Sequence, residues 1–246
     1  MHTAIPFASS IIGTKSITID PRAVVGATAV TAYGGLPLYV YTGSVNGWFG
    51  YCTGGFMMRN TSTNATGVMT AGHCDDYTQQ QWYNGETPSS SSTNRTCGGS
   101  YGDGKILQVT GATNSVVFTN SQISQYVTNA AMGGYMIGQQ VRQGRLGLNG
   151  NPGGNFGTIA SYVANYLITS PTPTACGTFY TLSNAFTVNV QSTPGDSGGP
   201  LMASYANAWY GLAITTASGE GSGVTAYSPW WTLDTSGWVF CSAQSC

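Results

Sequence analysis

The segment QSTPGDSGGP, residues 191 to 200, sets one hydroxyl, Ser197, and one acid, Asp196, among three glycines, Gly195, Gly198 and Gly199. Two readings are open. The segment is a tight turn, since glycine reaches positive φ without a Cβ clash. Or it holds a serine nucleophile against backbone N–H groups that converge on one oxygen. A serine hydroxyl attacks efficiently only when a base takes its proton. Histidine, which titrates near neutrality, is the usual base. The chain holds two histidines, His2 and His73. His2 lies at the terminus, so His73, in GVMTAGHCDD (67 to 76), is the candidate base. The competing reading is a structural histidine beside a disulfide formed by Cys74.

Such a base needs an acceptor on its other ring nitrogen, to fix the tautomer. The acids are Asp20, Asp75, Asp76, Glu86, Asp103, Asp196, Glu220 and Asp234. Asp75 and Asp76 follow His73 too closely to reach behind its ring, and Asp196 adjoins the serine. Asp103, in SYGDGKILQVT (100 to 110), stands at the mouth of a strand-like run, where a carboxylate can enter a buried site from a loop. An Asp-Gly turn feeding a hairpin accounts for the same two residues.

The elements that must position these groups are short strands. LPLYVYTG (36–43), KILQVT (105–110), SVVFT (115–119), GTIASYVANYLI (157–168), AFTVNV (185–190), AWYGLAITT (208–216) and GVTAYS (223–228) are rich in β-branched and aromatic residues and separated by Gly, Asn and Ser turns. Helical patterning is confined to weak stretches near 121–131 and 229–235. The pattern predicts an all-β chain, a sandwich or barrels. A Ser-rich stretch (87–102) and a Gly/Asn-rich stretch (147–157) read as exposed loops.

Composition excludes several classes. Only 6% of the 246 residues are charged, with 7 basic and 8 acidic side chains. So few cations cannot form a nucleic-acid patch. No apolar run approaches a membrane span. Six cysteines, Cys52, Cys74, Cys97, Cys176, Cys241 and Cys246, suit disulfides in an oxidising, extracellular compartment. No CxxC pair suggests a zinc site, and no metal or cofactor is expected. No signal-peptide pattern opens the chain, and the expectation is that any such segment was removed.

Together, TAGHC, an aspartate ahead of an apolar strand, and GDSGGP, in the order His–Asp–Ser, resemble the chymotrypsin-like (trypsin-like) serine proteases. TAGHC, with glycine before the histidine, is most similar to the bacterial streptogrisin and alpha-lytic protease branch. CTGGF (52–56), VRQGRLG (141–147) and GVTAYSPW (223–230) extend the resemblance over roughly residues 34 to 235. It implies two packed six-stranded antiparallel β-barrels with the active site in the cleft between them. Residues 1–34 would be an N-terminal extension or pro-segment remnant, 35–120 the first barrel, 121–134 a linker, and 135–246 the second barrel with a C-terminal extension.

The resemblance also implies a secreted serine endopeptidase, monomeric and cofactor-free, acting on a protein or peptide. Ser197 would attack, His73 would serve as general base and acid, and Asp103 would orient His73. The N–H groups of Gly195 and Ser197 would form the oxyanion hole. Asp196 would pair with Arg142. Cys52 and Cys74 match the family's disulfide beside the histidine. Cys97 and Cys176 fall in segments that approach each other in the family fold, leaving Cys241 to close a small loop with Cys246; spacing alone leaves three pairings of these four open. The family's bridge flanking the serine is absent, because Gln191 stands where it would begin. Val190 and Gln191 supply no acid at the pocket base, which favours an uncharged, medium to large apolar side chain before the scissile bond; Glu220 nearby is the argument for a basic one. The rival reading is a catalytically silent binding module of the same fold.

Overall fold

The computed structural model describes residues 32–35, 37–41, 48–74, 82–84, 87–109, 113–118, 124–130, 137–144, 155–193, 195–205, 208–218 and 223–241. Its strands are, in chain order, β1 (Ala32–Gly34), β2 (Pro37–Tyr41), β3 (Trp48–Thr53), β4 (Met57–Asn60), β5 (Thr66–Thr70), β6 (Trp82–Asn84), β7 (Thr87–Cys97), β8 (Asp103–Val109), β9 (Thr113–Phe118) and β10 (Ser124–Ala130). They continue with β11 (Gln140–Gln143), β12 (Asn155–Val163), β13 (Tyr166–Thr174), β14 (Gly177–Leu182), β15 (Ala185–Val188), β16 (Pro200–Tyr205), β17 (Ala208–Ser218), β18 (Thr225–Pro229) and β19 (Trp238–Phe240). The described helix is a single 3-10 turn, Trp230–Thr232.

In the second half, β17, β16, β11, β12, β15 and β18 are neighbours in that order, and β17 pairs with β18 to close an antiparallel six-stranded barrel. Its core joins Val141, Ile159, Phe186, Val188, Leu201, Leu212 and Tyr227. The first half is an eight-stranded antiparallel sheet, ordered β19-β4-β5-β8-β7-β6-β2-β3, which curls without closing among the described residues. Leu38, Met57, Val68, Leu107 and Val109 pack inside it. A third cluster bridges the halves: Phe56, Met58, Met69 and Ile106 from the first meet Met202 and Ile214 from the second, with Leu233 and Trp238. The chain end thus straps the halves together, since β19 returns to pair with β4.

Every strand-like segment named from the sequence holds a strand. GTIASYVANYLI holds two, because Asn165 adopts a left-handed turn at φ 59 between β12 and β13. Two expectations change. The Ser-rich stretch contains all of β7, because its backbone pairs with β8, which is buried along nearly its whole length and carries the core residues Ile106, Leu107 and Val109. The weakly helical stretch 121–131 holds β10 instead, paired in parallel with β17. There the β10 backbone pairs with the start of β17, at Trp209 to Gly211, ahead of the part of β17 that pairs with β18, and this pairing outweighs local helix preference. β1, β9 and β10 thereby extend the second barrel's sheet. Residues 147–154 of the Gly/Asn-rich stretch lie outside the described residues, as do residues 1–31, while Asn155 and the two residues after it open β12.

The hairpin β13–β14 stands apart from both sheets. Gly99 holds it to the first half: its N–H donates to Thr181 O at 2.7 Å, and Ser183 N–H donates to Gly99 O at 3.0 Å. A disulfide joins Cys97, at the end of β7, to Cys176, at the hairpin's tip.

Candidate active site

His73 follows β5 through Thr-Ala-Gly. Gly72 has no alternative there, because a Cβ would lie 2.1 Å from Thr96 O. Cys74 is bonded to Cys52 on β3, which anchors the far side of the turn. Asp103 begins β8, opposite Cys97 on β7, and is fully buried. Its carboxylate reaches back to the turn. His73 N–H donates to Asp103 Oδ1 at 2.8 Å, and His73 Nδ1 lies 2.6 Å from Oδ2. Two bonds to one carboxylate fix both the backbone and the ring of His73. Of the two readings of Asp103, the buried carboxylate is the one observed.

Ser197 comes from the second half, in the turn that enters β16. That turn is sewn to β3: Thr53 N–H donates to Ser197 O at 2.7 Å, and Thr53 Oγ1 donates to Gly195 O at 2.7 Å. Gly198 allows this close approach. It sits at φ +85, and a Cβ would lie 2.1 Å from Thr70 Oγ1 and 2.5 Å from Thr53 O. The result brings Ser197 Oγ to 2.9 Å from His73 Nε2. So Ser197, His73 and Asp103, separated by 124 and 30 positions, form one hydrogen-bonded line across the two halves.

The backbone of the same turn is divided between structural and unengaged donors. The N–H groups of Asp196, Gly198 and Gly199 donate to Thr193 O, Thr215 O and Asp196 O. Those of Gly195 and Ser197 make no hydrogen bond among the described residues. They remain available to an oxyanion.

Asp196 and Arg142 do not form the expected ion pair. His73 and Asp103 do form one. Asp196 is buried and accepts from Thr193 N–H at 2.8 Å and Thr193 Oγ1 at 3.3 Å. Arg142 lies on β11, and its guanidinium stacks over Phe156, 4.8 Å from the ring centre. Phe156 is its cross-strand partner on β12, so the pleat sets the two side chains side by side. Burial lowers the guanidinium's affinity for its proton. Cys97–Cys176 forms as expected, and Cys241 is disulfide-bonded. Cys246, its expected partner, lies outside the described residues, as do Glu220 and His2.

Three polar residues at the site carried no signal in the sequence. Asp103 N–H donates to Ser228 Oγ at 3.0 Å, and Ser228 shares a 2.8 Å hydrogen bond with Thr216 Oγ1. This seats the start of β8 on strands β17 and β18 of the other barrel. Tyr180, on β14, donates to Asp103 Oδ2 at 3.0 Å. Burial, the Asp103 charge and this bond all push its hydroxyl far above the ordinary tyrosine range, so it stays a donor. A neutral polar network links Val190, Ser192, Thr225 and Gln143. Thr225 Oγ1 donates to Val190 O at 2.7 Å and to Ser192 Oγ at 2.9 Å, and Gln143 Nε2 donates to Ser192 Oγ at 2.8 Å.

No protein-family model matches the chain. No curated protein matches it. Solved structures do. Thermobifida fusca protease A and the Nocardiopsis protease each align at 21% identity and TM-score 0.61, over 87% of this chain and all of theirs. The Cellulomonas bogoriensis chymotrypsin aligns at 21% identity and TM-score 0.59, with the same coverage. The chain has the chymotrypsin-like fold. In this arrangement His73 and Asp103, from the first half, meet Ser197, from the second, where the two halves join.

Proposed function

We propose that the protein is a secreted serine endopeptidase acting through an acyl-enzyme on Ser197. One observation carries the reading: a serine, a histidine and a buried aspartate in hydrogen-bonded line, at 2.9 and 2.6 Å, beside two backbone N–H groups that make no hydrogen bond among the described residues. A turn that only reversed the chain would need none of this alignment.

Ser197 Oγ attacks the substrate carbonyl while His73 Nε2 takes its proton. Asp103 holds the ring with Nδ1–H toward the carboxylate, so Nε2 presents its lone pair, and it stabilises the imidazolium that forms. The carbonyl oxygen becomes an oxyanion between Gly195 N–H and Ser197 N–H. Collapse breaks the peptide C–N bond, and His73 gives its proton to the departing amine. Water then repeats the sequence against the ester, releasing the acid and restoring Ser197. The residues present suffice for each proton transfer. Disulfides Cys52–Cys74 and Cys97–Cys176 support an oxidising compartment.

Val190, which the family resemblance puts near the pocket base, is bonded to the neutral Thr225, itself bonded to Ser192, and this supports an uncharged side chain before the scissile bond. One structural neighbour is described as a glutamic-acid-specific protease using a histidine triad in substrate binding. This chain has two histidines, one of them His73, and so cannot assemble such a triad. The test is digestion of a mixed peptide library by the parent and by Ser197→Ala. Cleavage by the parent alone, after apolar residues, is expected; cuts confined to Arg or Lys would refute the pocket assignment, and identical products from both proteins would refute the protease.

A further inference from the structure

The mechanism uses the Asp103 carboxylate but leaves one of its partners unexplained. Asp103 Oδ2 receives two donors, His73 Nδ1–H at 2.6 Å and the Tyr180 hydroxyl at 3.0 Å. The hydroxyl also lies 3.3 Å from His73 Nδ1, so it touches both members of the pair. Tyr180 belongs to neither barrel sheet. It arrives on the free-standing hairpin β13–β14, whose inner face (Ile168, Tyr180, Leu182) packs as a cluster with Ala185, Ala217 and Ala226.

Three contacts deliver it to the first half. Gly99 bonds both sides of Leu182, the Cys97–Cys176 disulfide pins the hairpin's tip, and Cys176 Sγ lies 4.0 Å from Asp103 Oδ1. Cys97 is itself the cross-strand partner of Asp103. The tether and the tyrosine thus converge on a single carboxylate.

We propose that Tyr180 is a positioning residue of the triad: its hydroxyl, held in place by the Cys97–Cys176 tether, fixes Asp103 Oδ2 and moderates the negative charge that the carboxylate presents to His73. The proposal rests on the serine-hydrolase reading of the site. A hydrogen bond donated to a carboxylate disperses its charge, and in a buried setting that matters more than in water. Without the hydroxyl, Oδ2 serves His73 alone. The imidazolium is then held more tightly, and the carboxylate has one restraint fewer.

Among the described residues, the other charged side chains near His73 are bonded to backbone carbonyls, not to the Tyr180 hydroxyl. Arg95 Nη1 donates to Gly72 O at 3.0 Å, Lys105 Nζ donates to Cys74 O at 2.5 Å, and Ser197 occupies Nε2. A change in His73 can therefore be assigned to Tyr180.

The experiment compares the parent with Tyr180→Phe and with the double variant Cys97→Ser/Cys176→Ser, which keeps the hydroxyl but frees the hairpin. The first readout is the low-field proton NMR signal of His73 Nδ1–H, which reports the His73–Asp103 bond whether or not the protein cleaves peptides. The chain's two histidines make its assignment direct, through His2→Gln. The second is the rate and pH profile of fluorophosphonate acylation at Ser197. In Tyr180→Phe the NMR signal moves downfield, the acid limb of acylation moves to higher pH, and the neutral-pH rate falls about tenfold, the rate equivalent of one hydrogen bond to a charged group.

The double variant moves both readouts the same way by a smaller amount. If Tyr180→Phe does not fold, the double variant alone decides by the same criteria. An NMR signal and acid limb identical to the parent's would overturn the proposal and leave Tyr180 as packing. A parent that shows no acylation refutes the hydrolase reading instead, and the NMR comparison still decides whether Tyr180 acts on the pair.

Discussion

Replacing Thr53 by valine isolates what one hydroxyl does for the nucleophile turn. Thr53 is buried on β3, and its Oγ1 donates to Gly195 O at 2.7 Å. Its backbone N–H, which donates to Ser197 O, is untouched by the change. Valine fills the same volume but cannot donate. The cost is the net worth of one hydrogen bond plus part of the penalty for a carbonyl left unsatisfied, together about 2 kcal/mol. For a chain of this size that lowers Tm by about 4–8 °C. The Gly195 N–H belongs to the proposed oxyanion hole, and releasing the carbonyl on the same residue lets that donor drift. Loss of a whole oxyanion donor costs about 10²–10³ in rate, so a loosened one should slow acylation about tenfold with substrate binding unchanged. Calorimetry and stopped-flow acylation measure both effects. A Tm and an acylation rate equal to the parent's would refute the idea that β3 holds the turn.

Further expectations follow from other contacts. Gly198→Ala must displace either the backbone or Thr70, given the 2.1 Å approach, and should abolish Ser197 labelling while far-UV circular dichroism stays native-like. Cys97→Ser/Cys176→Ser removes a cross-link between residues 79 apart in sequence and should cost about 4.5 kcal/mol in denaturant unfolding, on chain entropy alone. Asp234 is held below the usual carboxylate range by the Ser236 hydroxyl, by the Ser236 N–H that donates to Oδ1 at 3.0 Å, and by Asn94. Because its folded value is depressed, its contribution is present above about pH 4 and lost as pH falls through the folded value. Asp234→Asn should therefore be less stable than the parent at pH 7, with the gap closing in acid melts.

The three residues of the proposed triad were legible because each sits in a segment whose local geometry needs particular residues. Gly72 and Gly198 are demanded by backbone approaches that exclude a Cβ, so TAGHC and GDSGGP read as motifs. The strands were legible from β-branched and aromatic runs. Tyr180 was not, because a tyrosine in a hairpin is ordinary, and its role comes from a contact across 77 positions that no local pattern encodes. Ser228 and Thr216 were silent for the same reason. The Arg142–Asp196 pairing was read from a motif match, and it failed where the β11–β12 register places Phe156 beside the guanidinium. β7 was missed because Ser-rich sequence has weak intrinsic strand preference; its partner β8 decides its state.

The most direct test of the triad is fluorophosphonate labelling of the disulfide-intact protein, followed by peptide mass spectrometry, for the parent and for His73→Ala. A base 2.9 Å from Ser197 Oγ predicts a single adduct on Ser197 in the parent and its loss in the variant. Absence of the adduct from the folded parent, or equal labelling of both proteins, would contradict the assignment of Ser197 as a nucleophile activated by His73.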